Sequence, residues 1–100
     1  MRWTSIFCST ASALWDSEKA SSNVSKHGVD FELACEVFFD PFIHLEDASV
    51  GGERRDAAIG LTENWSLLFV VHMLRESDTI RIISARLATA QERRSYEDSE

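Results

Sequence analysis

The run "WSLLFVVHM", residues 65–73, limits the possible folds more than any other stretch. It is too short for a membrane helix, which needs roughly 18 apolar residues or more. Its β-branched and aromatic content suits a strand, and it is apolar at both parities of the pleat. A strand that is apolar on both faces belongs in the middle of a sheet. Two neighbours read the same way. "RDAAIGLT", residues 55–62, precedes it, and "TIRIISARL", residues 79–87, follows after the hairpin-length turn "LRESD". "FIHLED", residues 42–47, reads as a shorter strand, and "ASVGGERR" as a loop around Gly51-Gly52.

Helical signals flank the strands. Asp16 caps a helix through "SEKASSNVSK"; Glu18 and Lys26 suit its dipole, and Gly28 stops it. Asp30 caps a second helix, "FELACEVFF", residues 31–39. Its Phe31, Ala34, Cys35 and Phe38 recur at i, i+3, i+4 and i+7, one apolar stripe. Asp40-Pro41 ends it, because a residue before proline avoids the helical region. Thr89 and Glu92 form a capping box that opens a final helix through Tyr96. This order predicts an α+β domain: two N-terminal helices packed on a mostly antiparallel sheet, plus a C-terminal helix. The helices are expected on one face, leaving the other half open to solvent. Residues 13–100 form the single domain. Residues 1–12 are an N-terminal extension, either flexible or part of the first strand.

The chain has 100 residues and a net charge of -7, which disfavours a general nucleic-acid surface. The charge is uneven, however. Arg75, Arg81, Arg86, Arg93 and Arg94 supply half of the ten basic residues within one short stretch. Such clustering allows a small cationic site on an acidic body, and an acidic body can meet a basic partner. The two cysteines, Cys8 and Cys35, make no disulfide framework and read as buried small side chains in a reducing cytosol. The N-terminus faintly mimics a signal peptide, but Ser and Thr interrupt its apolar run. The expected location is therefore cytoplasmic, with no membrane association.

The candidate chemistry rests on arginine and histidine. In a regular strand Arg81 and Arg86 fall on opposite faces, because five positions separate them. They share a face only if a bulge intervenes or Arg86 lies past the strand end. The bland reading of both is a pair of surface ion pairs, and from pattern alone it is the favoured one. His72 in "VVHM" is more often a core histidine; facing the open side, it would suit proton transfer. His27 beside Gly28 caps a helix end or, with Lys26, contacts phosphate. Trp3, Trp15 and Trp65 read as core anchors ahead of stacking platforms. No two of His27, His44 and His72 lie at metal-ligand spacing, so no metal or other cofactor is expected. Arginine, histidine and no metal fit one reaction class. The RNA 2'-hydroxyl attacks the adjacent phosphorus, cations stabilise the phosphorane, and an acid protonates the leaving 5'-oxygen.

An ordered series of blocks adds to this. They are Trp15-Asp16, Lys19, Asn23, "KHGV" at 26–29, "FE" at 31–32, Ala34, "VF" at 37–38 and "DP" at 40–41. There follow "ERR" at 53–55, "IG" at 59–60, "VVH" at 70–72, "IRIISAR" at 80–86, "AT" at 88–89, "ER" at 92–93 and "YE" at 96–97. In this order the chain resembles the BrnT toxins, the ribonuclease half of bacterial BrnT–BrnA type II toxin–antitoxin modules. The resemblance implies a RelE-like fold and metal-independent endoribonuclease activity that arrests growth. It also implies neutralisation by a BrnA-like ribbon-helix-helix antitoxin, with the complex binding operator DNA through that antitoxin. On this basis His72, Arg81 and Arg86 are the expected catalytic residues, and Lys26, His27, Arg55 and Arg93 the expected RNA contacts. The competing reading is a non-catalytic protein-binding module, or an inactive homologue, that uses the same sheet surface.

Overall fold

A computed structural model describes residues 3–8, 11–75 and 79–98, with side chains described for 13–74 and 79–98. Six strands form one sheet. They are β1 (Trp3–Cys8), β2 (Ala11–Asp16), β3 (His44–Asp47), β4 (Asp56–Leu61), β5 (Leu67–Arg75) and β6 (Thr79–Leu87). Their order across the sheet is β1-β2-β6-β5-β4-β3. Every neighbouring pair is antiparallel except β2 and β6, which run parallel over Ser12–Leu14 and Thr79–Arg81. From Leu67 on, the run at 65–73 is thus an inner strand, as its two apolar faces require. The N-terminal residues contribute β1 and the start of β2, an antiparallel pair along one margin. Residues 76–78 of the expected 74–78 turn lie outside the described residues, and β5 extends to Arg75.

Helix α1 (Ser17–His27) begins where the Asp16 carboxylate accepts from Glu18 N at 2.9 Å. It ends at Gly28, whose φ of 69° is the left-handed conformation that a residue without Cβ adopts at low cost. Helix α2 (Phe31–Cys35) starts at the Asp30 cap and is shorter than the sequence pattern suggests. From Glu36 to Phe39 it tightens into a 3-10 turn. This turn crosses β4 so closely that a Cβ on Gly60 would lie 2.7 Å from Val37 Cγ1 and 3.0 Å from its carbonyl oxygen. Any larger residue at position 60 would push this layer off the sheet. Helix α3 (Ala90–Asp98) follows the Thr89–Glu92 capping box, whose two reciprocal bonds measure 2.9 and 3.2 Å.

Two hydrophobic clusters lie on opposite faces of the sheet. Ala58, Leu68, Val70, Ile82 and Ala85 meet Phe31, Ala34 and Val37 of the α1–α2 layer. On the other face Ile59, Leu67 and Phe69 meet Tyr96 of α3. The expectation of helices on one face is corrected here. β4 and β5 alternate between two apolar sets, and α3 supplies the second cover. Burying each of Phe31, Ile59, Leu68 and Ile82 completely, as here, contributes about 1.5–3 kcal/mol.

Candidate functional site

The critical irregularity lies in β6. Val71 pairs with Ser84, but the next residue of β5, His72, pairs with Ile82. Ile83 is therefore an extra residue in β6, a bulge that resets the alternation. Before it Ile80 and Ile82 point to the α1–α2 core; after it Ala85 does. Arg81 and Arg86, five positions apart, consequently share the α3 face. Arg86 lies opposite Phe69 and Arg81 opposite Met73. Those partners are four positions apart along β5, so the two arginines stand about 13 Å apart along the sheet.

Their surroundings differ. The Arg86 guanidinium gives Glu92 two parallel bonds, Nη1 to Oε1 and Nη2 to Oε2, both 2.8 Å. Its Nη1 also donates to the Leu87 carbonyl at 3.2 Å, and its carbon lies 4.3 Å from the Phe69 ring centre. Such a forked, stacked arginine is held in one place. The hydrogen bonds from Arg86 draw the Glu92 carboxyl below its usual range, and Glu92 in turn holds Arg86 more firmly protonated. Arg81 is half-buried, toward the end of the face that α3 leaves uncovered.

Arg55 immediately precedes β4. Alternation carried back two residues from the paired Ala57 and Val71 places it on the same face. Its Nη2 lies 3.4 Å from Glu53 Oε2, and its buried Nε has no hydrogen-bond partner among the described residues. Arg93 is exposed on the first turn of α3. Lys26 and His27 are exposed in the last turn of α1, in the layer on the other face. Asn23, one turn earlier, bonds the Ala85 backbone, so that end of α1 lies at the Arg86 end of β6.

His72 does not face the open side. It is buried, points to the α1–α2 layer, and meets the Phe38 ring edge-on at 5.0 Å between ring centres. Burial lowers its pKa, against the opposing effects of the Val70 carbonyl 3.4 Å from Nδ1 and of Asp56. The reason is parity. Leu68, Val70 and His72 form one row of β5, and that row is the core row. Cys35 is buried, as expected; the side chain of Cys8 lies outside the described residues. Trp15 is a core anchor, and the side chain of Trp3 is not described. Trp65 departs from the core expectation with 80% exposure. The Arg86–Glu92 clamp is the ion pair that pattern alone favours for Arg86, and its acid is the capping residue of α3. Among the described residues no three His, Cys, Asp or Glu side chains gather as metal ligands would. No helix among them is long and apolar enough to cross a membrane.

These features define a class: a small α+β domain that sets arginines suited to phosphate on one sheet face, beside a C-terminal helix. Comparison with known proteins makes this specific. A family model described as the ribonuclease toxin BrnT of type II toxin–antitoxin systems matches residues 15–92, which take in α1, α2, β3 to β6 and the start of α3. The chain belongs to this BrnT family of ribonuclease toxins. A crystal structure of the Brucella abortus ribonuclease toxin BrnT is similar to it, with a TM-score of 0.58 and 29% identity, over 75% of this chain and 92% of that one. No curated protein matches.

Proposed function

We propose that the chain is a metal-independent endoribonuclease whose RNA lies on the α3 face of the sheet. The observation that carries this is the β6 bulge, which turns Arg81 and Arg86 to the same side. Their separation is too great for both to grip one phosphate while Arg86 stays on Glu92. Arg81 is assigned to the scissile phosphate, where its charge offsets the phosphorane developing as the 2'-hydroxyl attacks. Arg86 holds a second phosphate further along and fixes the first turn of α3. Arg55 lies across the sheet from Arg81, beyond Met73, and Arg93 extends the cationic surface over α3. RNA leaving past Arg86 reaches the end of β6 at which α1 presents Lys26 and His27. His72 is assigned to the core, and no step runs through it. The partner proposed is a BrnA-like ribbon-helix-helix antitoxin that neutralises the toxin in the cytosol and carries the complex to operator DNA.

The test is cleavage of a defined RNA by the purified chain in EDTA, beside Arg81→Ala and His72→Phe proteins. Wild type and His72→Phe should cut, and Arg81→Ala should lose about a hundredfold or more, the usual loss when a group stabilising transition-state charge is removed. If folded wild type fails to cut, the non-catalytic reading of the same surface replaces this one. If Arg81→Ala cuts normally, the site lies elsewhere.

A further inference from the structure

The loop joining β4 to β5 holds a tryptophan in an unusual position. Trp65 has a φ of 67°, the one non-glycine residue with positive φ among the described residues. Its amide donates to the Thr62 carbonyl at 3.0 Å, and Thr62 N donates to the Ser66 carbonyl at 2.9 Å, closing a tight loop. Glycine or asparagine is usual at such a left-handed site, and a bulky residue there is strained. The strain does not serve packing, since the indole is 80% exposed. Strain of this kind, with no structural return, points to a surface kept for another purpose.

Trp65 lines one side of a groove of about 550 Å³, and Phe39 and Phe42 line it with comparable prominence, at 55% and 57% exposure. The floor is built. Asp40 Oδ2 accepts from Tyr96 Oη at 2.6 Å and from Leu61 N at 2.8 Å. Glu36 Oε1 accepts from Glu63 N at 2.9 Å, tying the 3-10 turn to the loop that carries Trp65. Among the described residues the charged side chains of the groove, Glu36, Asp40 and Glu63, are all acidic, and no Lys, Arg or His lines it. Three exposed aromatics in an acidic frame match an occupant that pairs bulky apolar side chains with cations. RNA would meet these carboxylates with its phosphates. A second copy of this chain, itself at -7, would set acid against acid.

We infer that the Phe39–Phe42–Trp65 groove docks an amphipathic, Lys- or Arg-bearing segment of a partner protein. The site is distinct from the Arg81 end of the sheet. The loop of Trp65 precedes β5, whereas Arg81 faces Met73 near the far end of that strand. A protein antitoxin, which membership of a type II family implies, is a natural source of such a segment. Only that last step rests on the toxin–antitoxin reading; the groove's chemistry does not need RNA cleavage.

The probes are two synthetic amphipathic helical peptides with one shared Leu/Trp face, one carrying Lys on its polar face and the other Glu. Calorimetry against the full chain should give binding of the Lys peptide and at least about tenfold weaker binding of the Glu peptide. Trp65→Gly and Trp65→Asn remove the indole from a position that both replacements adopt without strain. Both should melt no lower than wild type and weaken the Lys peptide by roughly thirtyfold, as loss of a central aromatic anchor does. Phe42→Ser gives a second reading within the same groove. Equal affinity for both peptides, no binding, or undiminished binding by folded Trp65 variants would overturn the inference. So would an oligouridine RNA that displaces the Lys peptide, or a wild-type dimer that Trp65→Gly abolishes.

Discussion

The two faces of the sheet are made from the same strands yet treat polar side chains in opposite ways. On the α1–α2 side the polar side chains Asn23 and His72 are buried among the packed layer. Asn23 is 5% exposed and bonds three backbone groups, and His72 is 3% exposed against Phe38. On the α3 side the cover stops partway, and the charged groups Arg81 and Arg86 sit on the sheet itself. A face closed by two helices leaves no room for a ligand. A face closed by one short helix keeps a rigid floor for function. The difference depends on one residue of β6, since without the bulge at Ile83 one arginine would point into the packed core.

The comparison breaks most severely if the closed face is opened. β6 pairs with β2 only over Thr79–Arg81, so the backbone of Ala85 has no strand beside it on that side. Asn23 takes the strand's place: Nδ2 donates to the Ala85 carbonyl at 2.7 Å, and Oδ1 accepts from Ala85 N at 3.1 Å. The same Nδ2 reaches the Val29 carbonyl at 2.8 Å, fastening the α1–α2 turn. Asn23→Ala orphans these buried groups and should cost about 3 kcal/mol, given 1–3 kcal/mol for each unsatisfied group. Thermal unfolding measures it, with an expected drop of more than about 10 °C. A smaller loss than Arg86→Ala produces would show that the closed face is not the stability-bearing one.

The open face should lose less. Arg86→Ala removes the fork that pins the first turn of α3, and about 1.5 kcal/mol is expected from charge-assisted bonds at a partly exposed site. The pH dependence fixes the mechanism. The folded Glu92 carboxyl lies below its ordinary value of 4.5, held there first by the bonds from Arg86. Its contribution is therefore present above pH 4.5 and disappears as pH falls through the lower, folded pKa. Urea titrations across that acid limb should show wild type and Arg86→Ala converging as the pH drops. Parallel curves would mean that Glu92 gains nothing from Arg86.

Much of the scaffold is legible in the residues. Gly28, the Asp16 and Asp30 caps, Pro41 and the Thr89–Glu92 box mark helix ends by local chemistry, and the structure places ends within a few residues of them. The arginine site was legible only as a condition, because nothing local announces a bulge at Ile83. Neither glycine nor a turn residue marks it, and the register follows from pairing with distant Val71 and His72. The side on which His72 lies was hidden for the reason that identified its strand. Both parities of β5 are apolar, so the sequence does not say which one the first two helices cover. Trp65 shows the opposite failure, where a residue that reads as strand and core instead occupies a strained, exposed loop position. The part α3 plays is likewise tertiary, since its one buried residue, Tyr96, finds Asp40 from 56 positions away.

The subtlest difference between the faces should appear near neutral pH. Burial holds the folded His72 below its ordinary value of 6.5, so the folded state resists a proton that the unfolded chain accepts. Between the folded pKa and 6.5 the unfolded state binds more protons, and stability must rise with pH over that window. The sign is opposite to that of a histidine gaining a carboxylate partner, for which stability would fall as pH rises. His72→Phe keeps an aromatic against Phe38 and removes the titration. Its unfolding free energy should be flatter than that of wild type from the folded pKa up to 6.5, with the two profiles parallel above it. Arg81→Ala, on the other face, should leave this slope intact. If wild type instead gains stability as pH falls through this window, His72 is charged in the folded protein and is reached by solvent or an acid. The closed face would then have to open, and His72 would return as a group able to exchange protons with a ligand.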